Sequence, residues 1–222
     1  MPNSDIYIIG GEENSSSLDT SEKLTKTGFE LIQMNMKISR HCAMPIEDTT
    51  IIIIGGIINE RPFSNKTFLF DTLTNTFTTG PDLMKGRQLH SCARIDGDKL
   101  IIAGGKDLRG GLDSVEILDC KKGHWNEGPI LPQAIFSASM VEHPDGGVVL
   151  IGGQSGPTIL NTLYYLPRLD ADWVMMSQQL KTPRRFHSSL MIPNSITNCH
   201  KGIFSIVALS KTLHPKLALF TF

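Results

Sequence analysis

The sequence lacks an excess of charge of either sign: 21 Lys and Arg stand against 22 Asp and Glu, for a formal net charge of -1. Nucleic acid and anionic membrane surfaces call for a basic excess, so neither is expected as a partner. Long apolar runs are also missing. Ile51 to Ile54, with Ile57 and Ile58 beyond, is among the longest and falls far short of the roughly 20 residues that span a bilayer, so no membrane insertion is expected. The cysteines Cys42, Cys92, Cys120 and Cys199 show no C-x-x-C or other metal spacing, and each is expected as a small buried hydrophobe. Met1 to Asp5 carries no basic segment followed by an apolar one, which favours the cytosol over secretion. The acceptor triplets Asn14-Ser15-Ser16 and Asn65-Lys66-Thr67 keep secretion open.

Aromatic residues are few, yet four of them are evenly placed: Phe29, Phe77, Trp125 and Trp173 lie 48 positions apart in succession. A second series, an apolar run ending in paired glycines, occurs at Ile6 to Gly11, Ile51 to Gly56, Leu100 to Gly105 and Val148 to Gly153. A third precedes the glycine runs, at Arg40-His41-Cys42-Ala43, Leu89-His90-Ser91-Cys92, Ile135-Phe136-Ser137-Ala138 and Phe186-His187-Ser188-Ser189. Three series in constant order define an internal repeat.

Within one period the apolar stretches are short, β-rich and bounded by turn residues, which predicts four strands, a to d. In one unit these are His90 to Ile95, Leu100 to Ala103, Ser114 to Leu118 and a short segment at Trp125. Asp96-Gly97-Asp98 and His143 to Gly147 fit hairpins between strands a and b. The structural repeat residues are therefore Gly10, Gly11, Gly55, Gly56, Gly104, Gly105, Gly152 and Gly153, with Phe29, Phe77, Trp125, Trp173, His41, His90 and His187. The aromatic rings are expected between neighbouring sheets. The histidines are expected to bridge a strand end and a loop by hydrogen bonds.

The R-x-x-H-S element (Arg87 to Ser91, Arg184 to Ser188), the glycine pair, and the aromatic followed by Gly-Pro (Phe77 to Pro81, Trp125 to Pro129) resemble the kelch repeat over about residues 5 to 192. The resemblance implies an all-β fold, a kelch-type β-propeller of four-stranded antiparallel blades. At this period the chain supplies only about four to five blades, so the propeller is incomplete or small. The units fall near 5-38, 39-86, 87-133 and 134-182, with another starting at 183, within a repeat region of 1-192. Pairing of Ile6 to Ile9 with Phe186 to Ile192 is one way such a chain closes. Residues 193-222 are either a degenerate last blade or an unrelated tail. Asn198-Cys199-His200-Lys201-Gly202 stands where a glycine pair is due, while Ile203 to Leu209 and Leu217 to Phe222 read as strands b and c.

No catalytic or metal site is legible. His41, His90 and His187 share one repeat position, and His124, His143, His200 and His214 have no H-x-x-x-H spacing. The glycine clusters match no phosphate loop, and Tyr7, Tyr164 and Tyr165 fall on strands away from the channel, against a copper radical oxidase of galactose oxidase type. The expectation is a non-enzymatic scaffold or adaptor, without cofactor, that binds a protein partner through its b-c and d-a loops. An enzyme completed by further segments is the alternative. By this assignment Arg40, Arg61, Arg87, Arg109, Arg184 and Arg185 fall on the loop face, diluted by Glu12, Glu13, Glu60 and Asp107. Arginine forks suit carboxylates, so Arg61, Arg87, Arg109, Arg184 and Arg185 are the binding candidates and an acidic peptide is the expected ligand.

Overall fold

The computed structural model describes residues 6–192, 205–210 and 218–221, and each regular element in them is a β-strand. In chain order these are β1 (Ile6–Ile9), β2 (Glu12–Glu13), β3 (Ser16–Thr25), β4 (Gly28–Ser39), β5 (Cys42–Pro45), β6 (Thr50–Ile54), β7 (Ile57–Ile58), β8 (Thr67–Asp71) and β9 (Thr76–Thr79). They continue with β10 (Ser91–Ile95), β11 (Lys99–Ala103), β12 (Lys106–Asp107), β13 (Gly110–Gly111), β14 (Val115–Asp119), β15 (His124–Glu127), β16 (Ser139–Glu142) and β17 (Val148–Ile151). The last are β18 (Gln154–Ser155), β19 (Thr158–Ile159), β20 (Thr162–Leu166), β21 (Val174–Gln179), β22 (His187–Ile192), β23 (Ser205–Ser210) and β24 (Ala218–Thr221).

Sequence order sets sheet order. The second, third and fourth sheets run β5-β6-β8-β9, β10-β11-β14-β15 and β16-β17-β20-β21, each a four-stranded meander of a, b, c and d. The first runs β1-β3-β4-β7, and the last β22-β23-β24. The a-to-b connection Asp96-Gly97-Asp98 joins the paired residues Ile95 and Lys99, and its first two residues have φ of +49° and +72°, left-handed angles that Asp and Gly adopt more readily than other residues. β1 pairs with β3 and β22 with β23, and each lies at the end of its described sheet. β23 and β24 lie close to the strands read in the last thirty residues, whereas Asn198 to Gly202 falls outside the described residues.

The chain divides into two compact units: Met1–His90 with Lys106–Gly110 and Leu118–Asn126, and Ser91–Gly105 with Gly111–Ile117 and Glu127–Phe222. In the first unit, Ile32, Met34 and Ile38 of β4 with Tyr7 and Ile9 of β1 pack on Ile51, Ile53, Phe68, Phe70 and Phe77 of the second sheet. Phe70 stacks on Phe77 with ring centroids 4.5 Å apart and meets Tyr7 edge-on at 5.7 Å, the two favoured aromatic geometries. In the second unit, Ala93, Ile101, Ala103, Val115 and Ile117 pack on Met140, Val148, Leu150, Tyr164, Leu166 and Trp173. Strands β6, β11 and β17 are buried on both faces from Ile51, Leu100 and Val148 onward, which is why they read as unbroken apolar runs.

Three expectations are corrected by this packing. Phe29 is 57% exposed, whereas Trp125 and Trp173 are 5% and 6% exposed. Lacking a Gly-Pro break, the first unit continues strand d as the 12-residue β4, in which alternate residues Ile32, Met34, Met36 and Ile38 are buried. Phe29 stands at odd separation from them, and strand alternation puts it on the opposite face. Second, the motif of the fourth sheet is displaced by two residues. Leu89 donates to the Arg40 carbonyl and Phe186 to the Ser137 carbonyl, and Arg40, Leu89, Ser137 and Phe186 all have φ between +53° and +58°. Ser137 is thus the equivalent of Leu89, and Ala138, not Phe136, holds the histidine position. Third, Cys42 and Cys92 are each disulfide-bonded rather than small buried thiols, while Cys120 is in no disulfide.

Candidate binding face

The loops are anchored by one hydrogen-bonded corner used four times. The second glycine of each pair donates its N–H to a motif carbonyl: Gly11 to Ile38 at 2.9 Å, Gly56 to Arg87 at 2.8 Å, Gly105 to Ile135 at 2.8 Å and Gly153 to Arg184 at 2.7 Å. At the first glycine there is no room for a side chain. A Cβ on Gly104 would stand 2.1 Å from the Ile135 carbonyl oxygen, and Gly104 has φ +65°, so both space and backbone angle exclude other residues. The aromatic position adds a second tie: Trp125 Nε1 donates to the Pro81 carbonyl at 2.9 Å, and Trp173 Nε1 to the Pro129 carbonyl at 2.8 Å.

The histidines sit inside these corners. A Cβ on Gly55 would meet the His90 ring at 3.0 Å, and one on Gly152 would meet the His187 ring at 3.1 Å. Both histidines are buried, yet neither nitrogen of either ring makes a well-formed hydrogen bond, and His41 Nδ1 is likewise buried and unpartnered. The His90 and His187 rings pack into these corners, each with a weak contact to a strand carbonyl, Ile54 and Ile151 respectively. Burial pushes His90 down to about 3, helped by the Arg87 and His41 charges and weakly opposed by the Ile54 carbonyl. Burial likewise pushes His41 and His187 down to about 4, Arg184 adding to the effect on His187.

Of the arginines in the first unit, Arg87 is fully buried at 0% exposure, which removes it from any recognition surface. Arg61 and Arg109 are exposed. Arg61 follows the turn residues Asn59 and Glu60, whose φ values are +48° and +62°, and its N–H and carbonyl exchange hydrogen bonds with Ile58. Arg109 lies in the β12–β13 turn. There Asp107 Oδ1 accepts the Arg109 and Gly110 N–H groups at 2.8 and 3.2 Å, and Asp107 Oδ2 pairs with Lys85 at 3.2 Å. Partial burial works against the Asp107 carboxylate, but these N–H groups and Lys85 hold its pKa below the usual range. Among the described residues neither the Arg61 nor the Arg109 guanidinium has a hydrogen bond or ion pair. Arg40 is occupied: its Nε and Nη2 donate to both oxygens of Glu12 at 2.9 and 3.1 Å. That fork lowers the Glu12 pKa.

In the second unit Arg184 is half-buried and Arg185 exposed. Arg185 Nη1 donates to Gln154 Oε1, and its guanidinium lies 5.2 Å from the Phe186 ring centroid, a cation–π distance. Phe186 is 49% exposed with φ +55°. Phe186 and Gln154 were not among the residues singled out from the sequence; the only signal was their place beside the motif arginines. Among the described residues no group of three or more His, Cys, Asp and Glu is placed to hold a metal, and no helix is long and apolar enough to cross a membrane.

The KLHDC2/KLHL20/DRC7 Kelch-repeats domain matches residues 1–199. The chain belongs to the kelch-repeat family. Its antiparallel four-stranded sheets are the blades of a kelch β-propeller. Among individual proteins, this kelch-repeat chain is 26% identical to human Kelch-like protein 41 over 122 residues, 52% of this chain and 20% of that protein. It is 27% identical to Kelch-like protein 40 of Xenopus tropicalis over 178 residues, 76% of this chain and 27% of that protein. The match to the Xenopus laevis Kelch-like protein 40 is 26% over 122 residues, covering 51% of this chain and 20% of that protein. The chain therefore spans about a quarter or less of the relatives it matches.

Proposed function

We propose that this kelch chain is a non-catalytic interaction scaffold whose b-c and d-a loops take an acidic segment of a protein partner. The likeness to Kelch-like proteins supports a protein-interaction domain. The observation that carries the finer reading is that Arg61 and Arg109 expose guanidinium groups with no partner among the described residues, on turns whose backbones are held by their own hydrogen bonds. A preordered arginine fork loses little freedom when it meets a carboxylate. In the second unit, Arg185 braced by Gln154 beside exposed Phe186 and half-buried Arg184 offers a charged and aromatic surface of the kind enriched at binding hot spots. The recurrence of the glycine corner supports units near 5-38, 39-86, 87-133 and 134-182, and the pairing of β22, β23 and β24 supports reading residues 193-222 as a degenerate last blade.

The test is capture of Glu/Asp-rich peptides from a display library by the wild-type chain and by Arg61→Glu/Arg109→Glu. Selected binders should lose at least tenfold in affinity with the double variant while its thermal midpoint stays within about 2 °C, as expected for exposed side chains. A library that yields no acidic binders, or binders indifferent to the charge reversal, refutes the acidic-segment reading.

A further inference from the structure

Four b-to-c turns follow a two-residue strand in the same way: β2 leads into Asn14-Ser15, β7 into Asn59-Glu60, β12 into Leu108-Arg109 and β18 into Gly156-Pro157. Three of the four carry polar or turn-forming residues. Leu108 is instead 88% exposed, the highest value among the exposed large apolar side chains of the described residues. The backbone does not ask for leucine there. Asn14, Ser15, Asn59, Glu60 and Gly156 have φ between +48° and +67°, whereas at the β12–β13 turn the positive φ falls on Gly110, at +134°. Asp107 Oδ1 caps that turn through the Arg109 and Gly110 N–H groups. Positions 108 and 109 are therefore under no left-handed demand, and neither turn geometry nor burial accounts for an apolar residue at 108.

A second apolar side chain stands on the loop beside it. Leu83, Leu131 and Leu180 are equivalent, since they donate their N–H groups to the carbonyls of Asn65, Asp113 and Asn161, each shortly before strand c. The residue that follows is Met84, Pro132 or Lys181, and Met84 is 58% exposed. The Met84 loop and the Leu108 turn are tied together. Gln88 and Lys106 exchange N–H to carbonyl hydrogen bonds at 3.1 and 2.8 Å, and Lys85 Nζ pairs with Asp107 Oδ2 at 3.2 Å. Met84 and Leu108 are the sequence neighbours of that ion pair, and both loops belong to the first compact unit. Across residues 83–89 and 106–110 Asp107 is the only carboxylate. Lys85 offsets it, so Lys106 and Arg109 leave this surface basic.

We propose that Leu108 and Met84 form an apolar seat beside Arg109 for one large apolar side chain of the partner. The acidic segment then carries a Leu, Ile, Met or Phe within about three residues of its carboxylate, the reach of roughly 10 Å of extended chain. This rests on the acidic-segment reading and adds to it the residue that anchors the segment. An apolar side chain closing over Leu108 and Met84 excludes water from the neighbouring guanidinium–carboxylate contact, which strengthens a charge pair that is weak in full solvent. The ion pair and the Asp107 cap order both loops before binding, so little freedom is lost.

The test takes acidic peptides selected on the wild-type chain and measures their affinities by fluorescence anisotropy for the wild type, Leu108→Ser, Met84→Ser and Arg109→Glu. The peptides should share a large apolar residue within about three positions of an acidic one. Leu108→Ser should weaken them at least about tenfold and Met84→Ser at least about threefold, with thermal midpoints within about 2 °C of the wild type. Changing the peptide's apolar residue to Ser should cost the wild type as much as Leu108→Ser does, and should cost the Leu108→Ser variant little more, the coupling expected of side chains in contact. Binding that Arg109→Glu weakens but Leu108→Ser or Met84→Ser leaves unchanged overturns the apolar seat while the acidic-segment reading stands. Binding that Leu108→Ser weakens but Arg109→Glu does not removes the acid–Arg109 pairing on which the seat rests, and overturns it. A library without acidic binders sinks both readings.

Discussion

The indole of Trp173 donates to the Pro129 carbonyl at 2.8 Å, the same bond that Trp125 makes to Pro81. A ring that is 6% exposed thus joins its own strand to the Gly-Pro turn of the preceding unit. Trp173→Phe keeps most of the apolar contact and should cost about 1 kcal/mol for the lost hydrogen bond, while Trp173→Ala should cost about 3–5 kcal/mol. Phe29→Ala, at the same period position on an exposed face, should change stability by less than about 0.5 kcal/mol. Urea denaturation of the three variants gives these differences directly, and equal losses for Trp173→Ala and Phe29→Ala would contradict the assigned packing.

The glycines separate into two kinds. Gly97 has φ +72° with nothing near its missing side chain, whereas a Cβ on Gly104 would stand 2.1 Å from the Ile135 carbonyl oxygen. Gly97→Ala should therefore cost only the left-handed backbone penalty, about 1–2 kcal/mol. Gly104→Ala adds a backbone clash and should lower the denaturation midpoint clearly further.

Acid should destabilise the fold through its histidines. The folded state holds His90 neutral down to about 3 and His41 and His187 down to about 4, against 6.5 for the ordinary side chain. The unfolded chain then binds protons that the folded chain refuses, so stability is full above 6.5 and falls as pH drops from there towards 4. Each histidine contributes up to about a tenfold loss in the folding constant per pH unit within that window. Glu12 and Asp107, whose pKa values are lowered, act only below 4.5, so the difference between pH 7 and pH 5 isolates the histidines. His90→Gln should flatten that difference even though it lowers stability at pH 7; an unchanged slope would show that His90 is protonated in the fold.

Much of the blade architecture was legible because it is written locally. Turn glycines, apolar alternation and the 48-residue period are properties of neighbouring residues, and they located the a, b, c and d strands. The period even contained the motif register that the residue types obscured: Leu89 plus 48 positions is Ser137, the residue with the matching backbone angle. Matching by side-chain type favoured Phe136 as a histidine substitute and missed it.

The sequence by itself determined the strands, their order and the positions of the corners, since hydrogen-bonded meanders follow from turn chemistry and alternation within tens of residues. Only the tertiary structure decided which side chains those corners enclose. Arg87 carries the same motif as Arg184, yet it is wholly buried while Arg184 is half-buried, and Phe29 shares a period with Trp125 yet faces outward. Burial depends on what packs against a face and on the parity of the strand beneath it, and neither is a property of the motif itself.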